Sequence, residues 1–313
     1  MNDISRSDHR LQPLIESIGR VVLGKEHAIR LSLCCFLAEG HLLIEDRPGV
    51  GKTTLARAMA QVLGLGFQRL QFTSDLLPSD VIGVSVFNAN QQGFDFHPGP
   101  IFTEFLLADE INRATPKTQS ALLEAMAEGR VSVDGQTHSL PEHFFVVATQ
   151  NPTDLTGAFP LPDSQLDRFL MRIALDYPSR QAERAMLEGR NPALLIPEQA
   201  VLLEREQISQ LRSQCRQVHC SAPVLDYLQR LVERSRHHEQ IAVGLSPRAS
   251  LALLGCARAW AMLEQRQHVL PDDLRAVFVA VAGHRLVPRG RELDGNDLAH
   301  QLLETVPVEA PSN

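Results

Sequence analysis

The sequence predicts an α/β chain in which a parallel five-stranded sheet flanked by helices is followed by an all-α C-terminal domain. Three observations carry this. Short apolar runs alternate with helical periodicity as far as Pro178, and one of those runs feeds a Gly-rich loop and then a helix. From Ser179 onward the periodicity is helical, with no convincing strand. The expected division is residues 1–178 and residues 179–313.

Five runs supply the strands: His41–Glu45 (HLLIE), Phe67–Phe72 (FQRLQF), Phe105–Asp109 (FLLAD), Phe144–Thr149 (FFVVAT) and Phe169–Leu175 (FLMRIAL). Several are apolar on consecutive positions, as strands buried on both faces should be. After the first, Leu55, Met59, Val62 and Leu63 recur on one helical face and Gly64 closes the element. Thr115-Pro116 pairs a capping hydroxyl with a proline at the first helical position, and that helix should stop at Gly129. Two stretches read as hairpins projecting from the sheet, residues 81–96 (VIGVSVFNANQQGFDF) and 130–140 (RVSVDGQTHSL), the second around Asp134-Gly135. Helices are expected at about 179–189, 204–217, 222–237, 247–264 and 271–283. Breaks fall at Asn191-Pro192, Ile196-Pro197 and Gly244, and the tail after about 300 is expected to fray.

Composition narrows the function. The 313 residues carry 30 Lys and Arg against 37 Asp and Glu, a net charge of −7, so no global basic field invites nucleic acid or an anionic membrane. The longest apolar stretches, Leu31–Ala38 and Val277–Ala282, are far shorter than a membrane span, and the first 20 residues hold no apolar signal core. Five cysteines in no regular framework fit a reducing compartment, so a cytoplasmic protein is expected. Cys215, His219 and Cys220 lack a fourth ligand at zinc spacing and read as ordinary residues on a helix.

The sharpest feature is His41–Leu55, HLLIEDRPGVGKTTL. A buried strand enters Pro48-Gly49-Val50-Gly51-Lys52-Thr53-Thr54 and leaves as a helix, the setting in which backbone N–H groups cradle phosphate. Lys52 would reach the β- and γ-phosphates and the Thr53 hydroxyl would ligate magnesium. Asp46 stands where the strict pattern has glycine, and aspartate tolerates left-handed backbone better than most residues. About sixty residues on, Asp109 and Glu110 end a buried strand, placed to hold magnesium and to polarise an attacking water. Asn151 ends another strand; its type fits a γ-phosphate contact or a turn former equally. By spacing alone Arg168 and Arg248 read first as surface ion pairs, although Arg248 lies in the first turn of a helix capped by Ser246.

Taken in order, Val22-Leu23-Gly24-Lys25, PGVGKTT, LLADEINRA, VVATQNP, LPDSQLDRF and GLSPRA resemble the AAA+ ATPases, and within them the MoxR family, over about residues 10 to 300. The resemblance implies a P-loop AAA+ module with a helical lid. Val22 and Leu23 would contact adenine, and Gly49 to Thr54 would form the Walker A loop. Asp109 and Glu110 would form Walker B, Asn151 would be sensor 1, and Arg248 sensor 2, reaching the nucleotide from the lid. Arg168 would be an arginine finger acting on a neighbouring subunit. The hairpins would be the helix-2 insert and the pre-sensor-1 hairpin.

ATP and Mg2+ are the implied cofactors and a homo-oligomeric ring, a hexamer, the implied assembly. The expected role is chaperone-like remodelling of a client protein, for which the family points to von Willebrand factor A-type domains, metal-cofactor insertion or complex assembly. Three other readings compete: a nucleic-acid motor, a metal-chelatase subunit and a nucleotide-gated scaffold. Neither hairpin tip, NANQQG or SVDGQTH, carries Lys or Arg, which speaks against the motor. No aromatic pore-loop signature of a threading unfoldase is visible.

Overall fold

The computed structural model describes residues 10–90, 92–152, 157–188, 192–290 and 292–309. Two helices, Leu11–Val21 (α1) and Glu26–Leu37 (α2), precede the first strand, Leu42–Glu45 (β1). Then come Lys52–Val62 (α3), Phe67–Gln71 (β2), Pro78–Ile82 (α4), Gly83–Asn88 (β3), Gly93–Pro98 (β4) and Phe105–Asp109 (β5). Pro116–Glu128 (α5), Arg130–Val133 (β6), Gln136–Ser139 (β7), Phe145–Gln150 (β8), Asp163–Leu166 (α6) and Met171–Ile173 (β9) complete the first half. The C-terminal half holds Arg180–Leu187 (α7), Arg205–Gln217 (α8), Ala222–Arg236 (α9), Ile241–Val243 (β10), Pro247–Leu263 (α10), Pro271–Ala282 (α11), Val287–Pro288 (β11) and Gly295–Thr305 (α12).

The five expected strands form one parallel sheet in the order β2-β5-β8-β1-β9. Their apolar runs are divided between two faces. Leu42, Ile44, Phe105, Leu107, Phe145 and Val147 face α1, α2, α3 and the C-terminal helices. Leu43, Leu106, Ala108, Val146 and Ala148 face α5 and the hairpin bases. Burial on both faces explains why consecutive positions are apolar. The first core runs without a break through α2 into α8, α10 and α11, so the helical half is packed onto the sheet half.

Local signals act as their chemistry requires. Thr115 caps α5 by accepting from the Thr118 N–H at 3.4 Å, and Gly129 ends it at φ 63°. Asp134 and Gly135 both take positive φ (49° and 81°), the two-residue turn that matches strand twist in the β6–β7 hairpin.

Some boundaries move. The first hairpin spans 83–98, because Pro78 and the Asp80 carboxylate, which accepts from the Leu77 N–H at 2.8 Å, turn 78–82 into α4. At Gly83, φ 98°, an added Cβ would lie 2.4 Å from the His97 carbonyl oxygen, so the chain passes there only as glycine. The fifth strand shortens to 171–173, since Phe169 is tied into a turn by its N–H bond to the Leu166 carbonyl (3.0 Å). The C-terminal half is helical as expected and adds one small antiparallel ribbon, β10 with β11. The tail VPVEAPSN begins only after α12, which runs to Thr305 because Asp294 and Asp297 cap each other's N–H groups and Leu298, Leu302 and Leu303 are buried. Residue 189, the Asn191 break and tail residues 310–313 lie outside the described residues.

His219 and Cys220 lie beyond the end of α8. The His219 N–H donates to the Gln267 carbonyl at 3.0 Å. Among the described residues no three His, Cys, Asp or Glu side chains gather as a metal site, and no helix is long and apolar enough to cross a membrane.

Candidate active site

The loop after β1 is held open by two glycines in left-handed backbone, Gly49 (φ 84°) and Gly51 (φ 102°), and Lys52 opens α3 directly behind them. No neighbour crowds either glycine, so the requirement is conformational rather than steric. The free N–H groups at the start of α3 then point into the loop's concavity. A cavity of about 310 Å3 opens there, lined by Pro48, Gly49, Gly51, Lys52, Thr53, Thr54, Asp109, Glu110 and Asn151.

Lys52 is aimed by backbone. Its Nζ donates to the Asp46 carbonyl and, at 3.4 Å, to the Gln150 carbonyl at the end of β8. Burial pushes its ammonium below the usual lysine range, while the Asp46, Asp109 and Glu110 carboxylates pull the other way.

Asp46 has a different role from the one expected. It is not among the residues with positive φ, so left-handed tolerance does not explain it. Its Oδ2 accepts from the Leu175 and Asp176 N–H groups (2.7 and 2.6 Å) and its Oδ1 from the Arg47 N–H (2.7 Å). The carboxylate therefore staples the phosphate loop to the segment that leaves β9 for α7. Asp46→Gly restores the generic motif yet removes the staple, so it is expected to destabilise the protein by about 2 kcal/mol in denaturant unfolding. A neutral result would return Asp46 to the role of a tolerated spacer.

The two acids are held by residues that the sequence reading missed. Thr149 Oγ1 donates to Asp109 Oδ1 at 2.6 Å and accepts from the Glu110 N–H at 2.9 Å. Arg69 on β2 grips Asp109 Oδ2 through Nη2 (2.6 Å) and Nε (3.1 Å). Gln71 Nε2 donates to Glu110 Oε2 at 3.0 Å, and Arg113 Nε pairs with the same oxygen at 3.1 Å. Glu110 itself sits at φ 56°, ψ 49°, a left-handed geometry that costs a non-glycine residue roughly 1 kcal/mol or more. Asn151 lines the cavity from the end of β8, its carbonyl accepting from Asn112 Nδ2 at 3.5 Å.

Comparison with known proteins bears on what this cavity serves. Residues 41–171 match the ATPase family associated with various cellular activities (AAA), and residues 233–305 match the AAA lid domain. The chain is 39% identical over 313 residues to the chaperone MoxR1 of Mycobacterium tuberculosis, covering 95% of this chain and 82% of MoxR1. This chain belongs to the MoxR family of AAA+ ATPases. It is also 45% identical over 273 residues to YeaC of Bacillus subtilis, with 87% of this chain and 85% of YeaC covered. A crystal structure of a candidate ATPase from Cytophaga hutchinsonii superposes with a TM-score of 0.86 at 32% identity, over 96% of this chain and 95% of that one. The reaction of the MoxR-family chain is ATP hydrolysis, and the cavity behind Gly49 and Gly51 carries the groups suited to it.

The remaining expected residues lie elsewhere. Val22 is buried at the end of α1 beside a separate cavity of about 220 Å3 that also touches Gly24 and Lys25, and Leu23 next to it is half-buried. Val50 packs against the core. Arg248, expected to reach the nucleotide from the lid, does not line the phosphate cavity. Its Nη1 faces Asp167 Oδ2 at 3.6 Å, set there by the packing of the helical half. Arg168 is also absent from that cavity; it is exposed and donates to the Leu123 carbonyl on α5 at 3.1 Å.

Proposed function

We propose that this MoxR-family ATPase works as a homo-oligomeric ring, a hexamer, in which hydrolysis drives remodelling or activation of a client protein. One observation carries the reading. The phosphate cavity gathers Lys52, Thr53, Asp109, Glu110 and Asn151, while Arg168, on the Leu123 carbonyl, and Arg248, facing Asp167, both lie outside that cavity. A chain built this way lacks part of the positive charge that phosphoryl transfer needs, and a neighbouring subunit is the natural donor.

Within one subunit the loop amides of Gly49 to Thr54 and the Lys52 ammonium hold the phosphates. Val22 and Leu23 are assigned to the adenine. Asn151 contacts the γ-phosphate or orients the water. Glu110, fixed by Gln71 and Arg113, polarises that water. Thr53 and Asp109 present hard oxygens to one cavity, the donor type magnesium takes, and would hold the ion. Magnesium, when bound, supplies positive charge to the β- and γ-phosphate oxygens.

The client surface is assigned to the hairpins. At the tip of the β3–β4 hairpin Phe94 (71% exposed) and Phe87 (57% exposed) stand edge to face with ring centres 5.4 Å apart. Phe96, nearer the base, stacks on His138 of β7 at 3.9 Å, joining the two hairpins into one body. The aromatic tip that the sequence reading did not recognise suits an apolar polypeptide, and no Lys or Arg occurs between Arg69 and Arg113, so nucleic acid is disfavoured. A client with a von Willebrand factor A-type domain, encountered in the cytoplasm, is the form of this reading to test.

Glu110→Gln, held in saturating Mg-ATP, is expected to bind nucleotide without turnover and to retain its client. A pull-down from native lysate should recover a von Willebrand A-type domain protein that is absent with Lys52→Ala. Recovery of nucleic acid that washes off at modest salt would replace the remodelling reading with a motor.

A further inference from the structure

Asp167, the residue before Arg168, is one of the acids through which the helical half meets the sheet half, as Glu39 and Glu104 also are. Arg285 follows α11, and its side chain is only 6% exposed. Its Nε donates to Asp167 Oδ1 at 2.7 Å, and its Nη2 to the Phe169 carbonyl at 2.7 Å and the Asp167 carbonyl at 3.3 Å. Its Nη1 donates to the Leu170 carbonyl at 3.1 Å and to the Val281 carbonyl. One guanidinium thus spends its whole donor set on residues 167 to 170 and on its own helix. The other oxygen of Asp167 faces Arg248, whose side chain is 76% exposed. Arg168 emerges between these contacts.

We propose that Arg285 and Asp167 form a positioning pair that sets Arg168 for the neighbouring subunit's nucleotide. The reading rests on Arg168 acting in trans. Four hydrogen bonds, to the Asp167 carboxylate and to the Asp167, Phe169 and Leu170 carbonyls, fix both the place and the orientation of the turn that carries Arg168, and a fifth, to the Val281 carbonyl, ties the guanidinium to its own helix. Lysine, a point charge with three donors, keeps the attraction but cannot hold that turn in one pose. Because Arg285 belongs to the helical half and the turn belongs to the sheet half, a shift of the helical half moves Arg168 with it. Asp167 adds a second link, since the same carboxylate faces Arg248 from another helix. Neither Arg285 nor Asp167 touches the phosphate cavity, so their effect on hydrolysis passes through Arg168.

The test uses Arg285→Lys and Asp167→Asn in the full chain, each alone and mixed with Lys52→Ala subunits. Both variants should keep the wild-type ring mass and the wild-type affinity for a fluorescent ATP analogue. Their kcat should fall about 10²-fold with KM for ATP retained, as expected when a reacting group is misplaced by an ångström or so. Mixing should restore turnover, because a Lys52→Ala neighbour presents an intact Arg168 turn to the variant's intact cavity. Asp167 is partly exposed, so Asp167→Asn serves as the second probe should Arg285→Lys fold poorly. Wild-type kcat in Asp167→Asn overturns the proposal. So does a loss that Lys52→Ala subunits fail to restore while they do restore Arg168→Ala. If Arg168→Ala itself is not restored, the trans assignment fails first and the positioning pair falls with it.

Discussion

Lys52→Ala is expected to remove ATP binding, and with it hydrolysis. The ammonium is carried to the mouth of the loop by two carbonyls, those of Asp46 and Gln150, which end adjacent strands of the sheet. Among the described residues it is the one cation lining a cavity that also holds the carboxylates of Asp109 and Glu110. Without it a polyanionic ligand meets a lining whose side chains are acidic or neutral, the nearby Arg69 and Arg113 being already engaged by Asp109 and Glu110. Loss of a partly desolvated, charge-assisted contact is worth about 3 kcal/mol, a factor of about 10² in affinity, before that repulsion is added. Titration of a fluorescent ATP analogue reads the effect directly. Wild-type affinity would show that the triphosphate does not sit in the loop behind Gly49 and Gly51.

What the sequence disclosed about this site follows from the distance over which each feature is encoded. The strand, loop and helix of residues 41–55 are contiguous, and Gly49, Gly51, Lys52 and Thr53 gather by local backbone geometry alone. Asp109, Glu110 and Asn151 were legible because each ends a buried strand, and parallel strands deliver their carboxyl ends to one edge. Arg69, Gln71 and Thr149 were not. They reach Asp109 and Glu110 only because β2 lies beside β5 and β8 lies on its other side, an order that no local pattern states. Asp46 was visible as a departure, but its partners, the N–H groups of Leu175 and Asp176, are 129 and 130 residues away.

The helical half shows the same division. Its longer helices carry periodicity and caps in their own sequence. The β10–β11 ribbon is too short for any period to register. The side chain of Arg248 could be assigned to a helix start, but its direction is set by how α10 packs on α2 and α8. The facing pair Phe87 and Phe94 becomes recognisable only with the hairpin register, which sets them opposite each other across a tip seven residues apart in sequence.

Arg168→Ala is expected to abolish hydrolysis while leaving nucleotide binding intact. In its own chain Arg168 lies outside the phosphate cavity and rests on the Leu123 carbonyl, so its removal takes nothing from the binding contacts. What it removes is charge delivered to the phosphates as negative charge redistributes in the transition state, an effect of about 10³ to 10⁵ in rate for arginine fingers of phosphate-loop enzymes. A residue that acted within its own subunit would stay inactive in any mixture. A residue acting in trans behaves otherwise: Arg168→Ala supplies an intact cavity, Lys52→Ala supplies an intact arginine, and rings containing both regain turnover at the interfaces where the two meet. Steady-state ATPase across mixing ratios should therefore rise from near zero at either pure variant to a maximum between them. A flat line near zero would place the action of Arg168 within its own subunit, and wild-type turnover of pure Arg168→Ala would return it to the ion-pairing residues that its spacing first indicated.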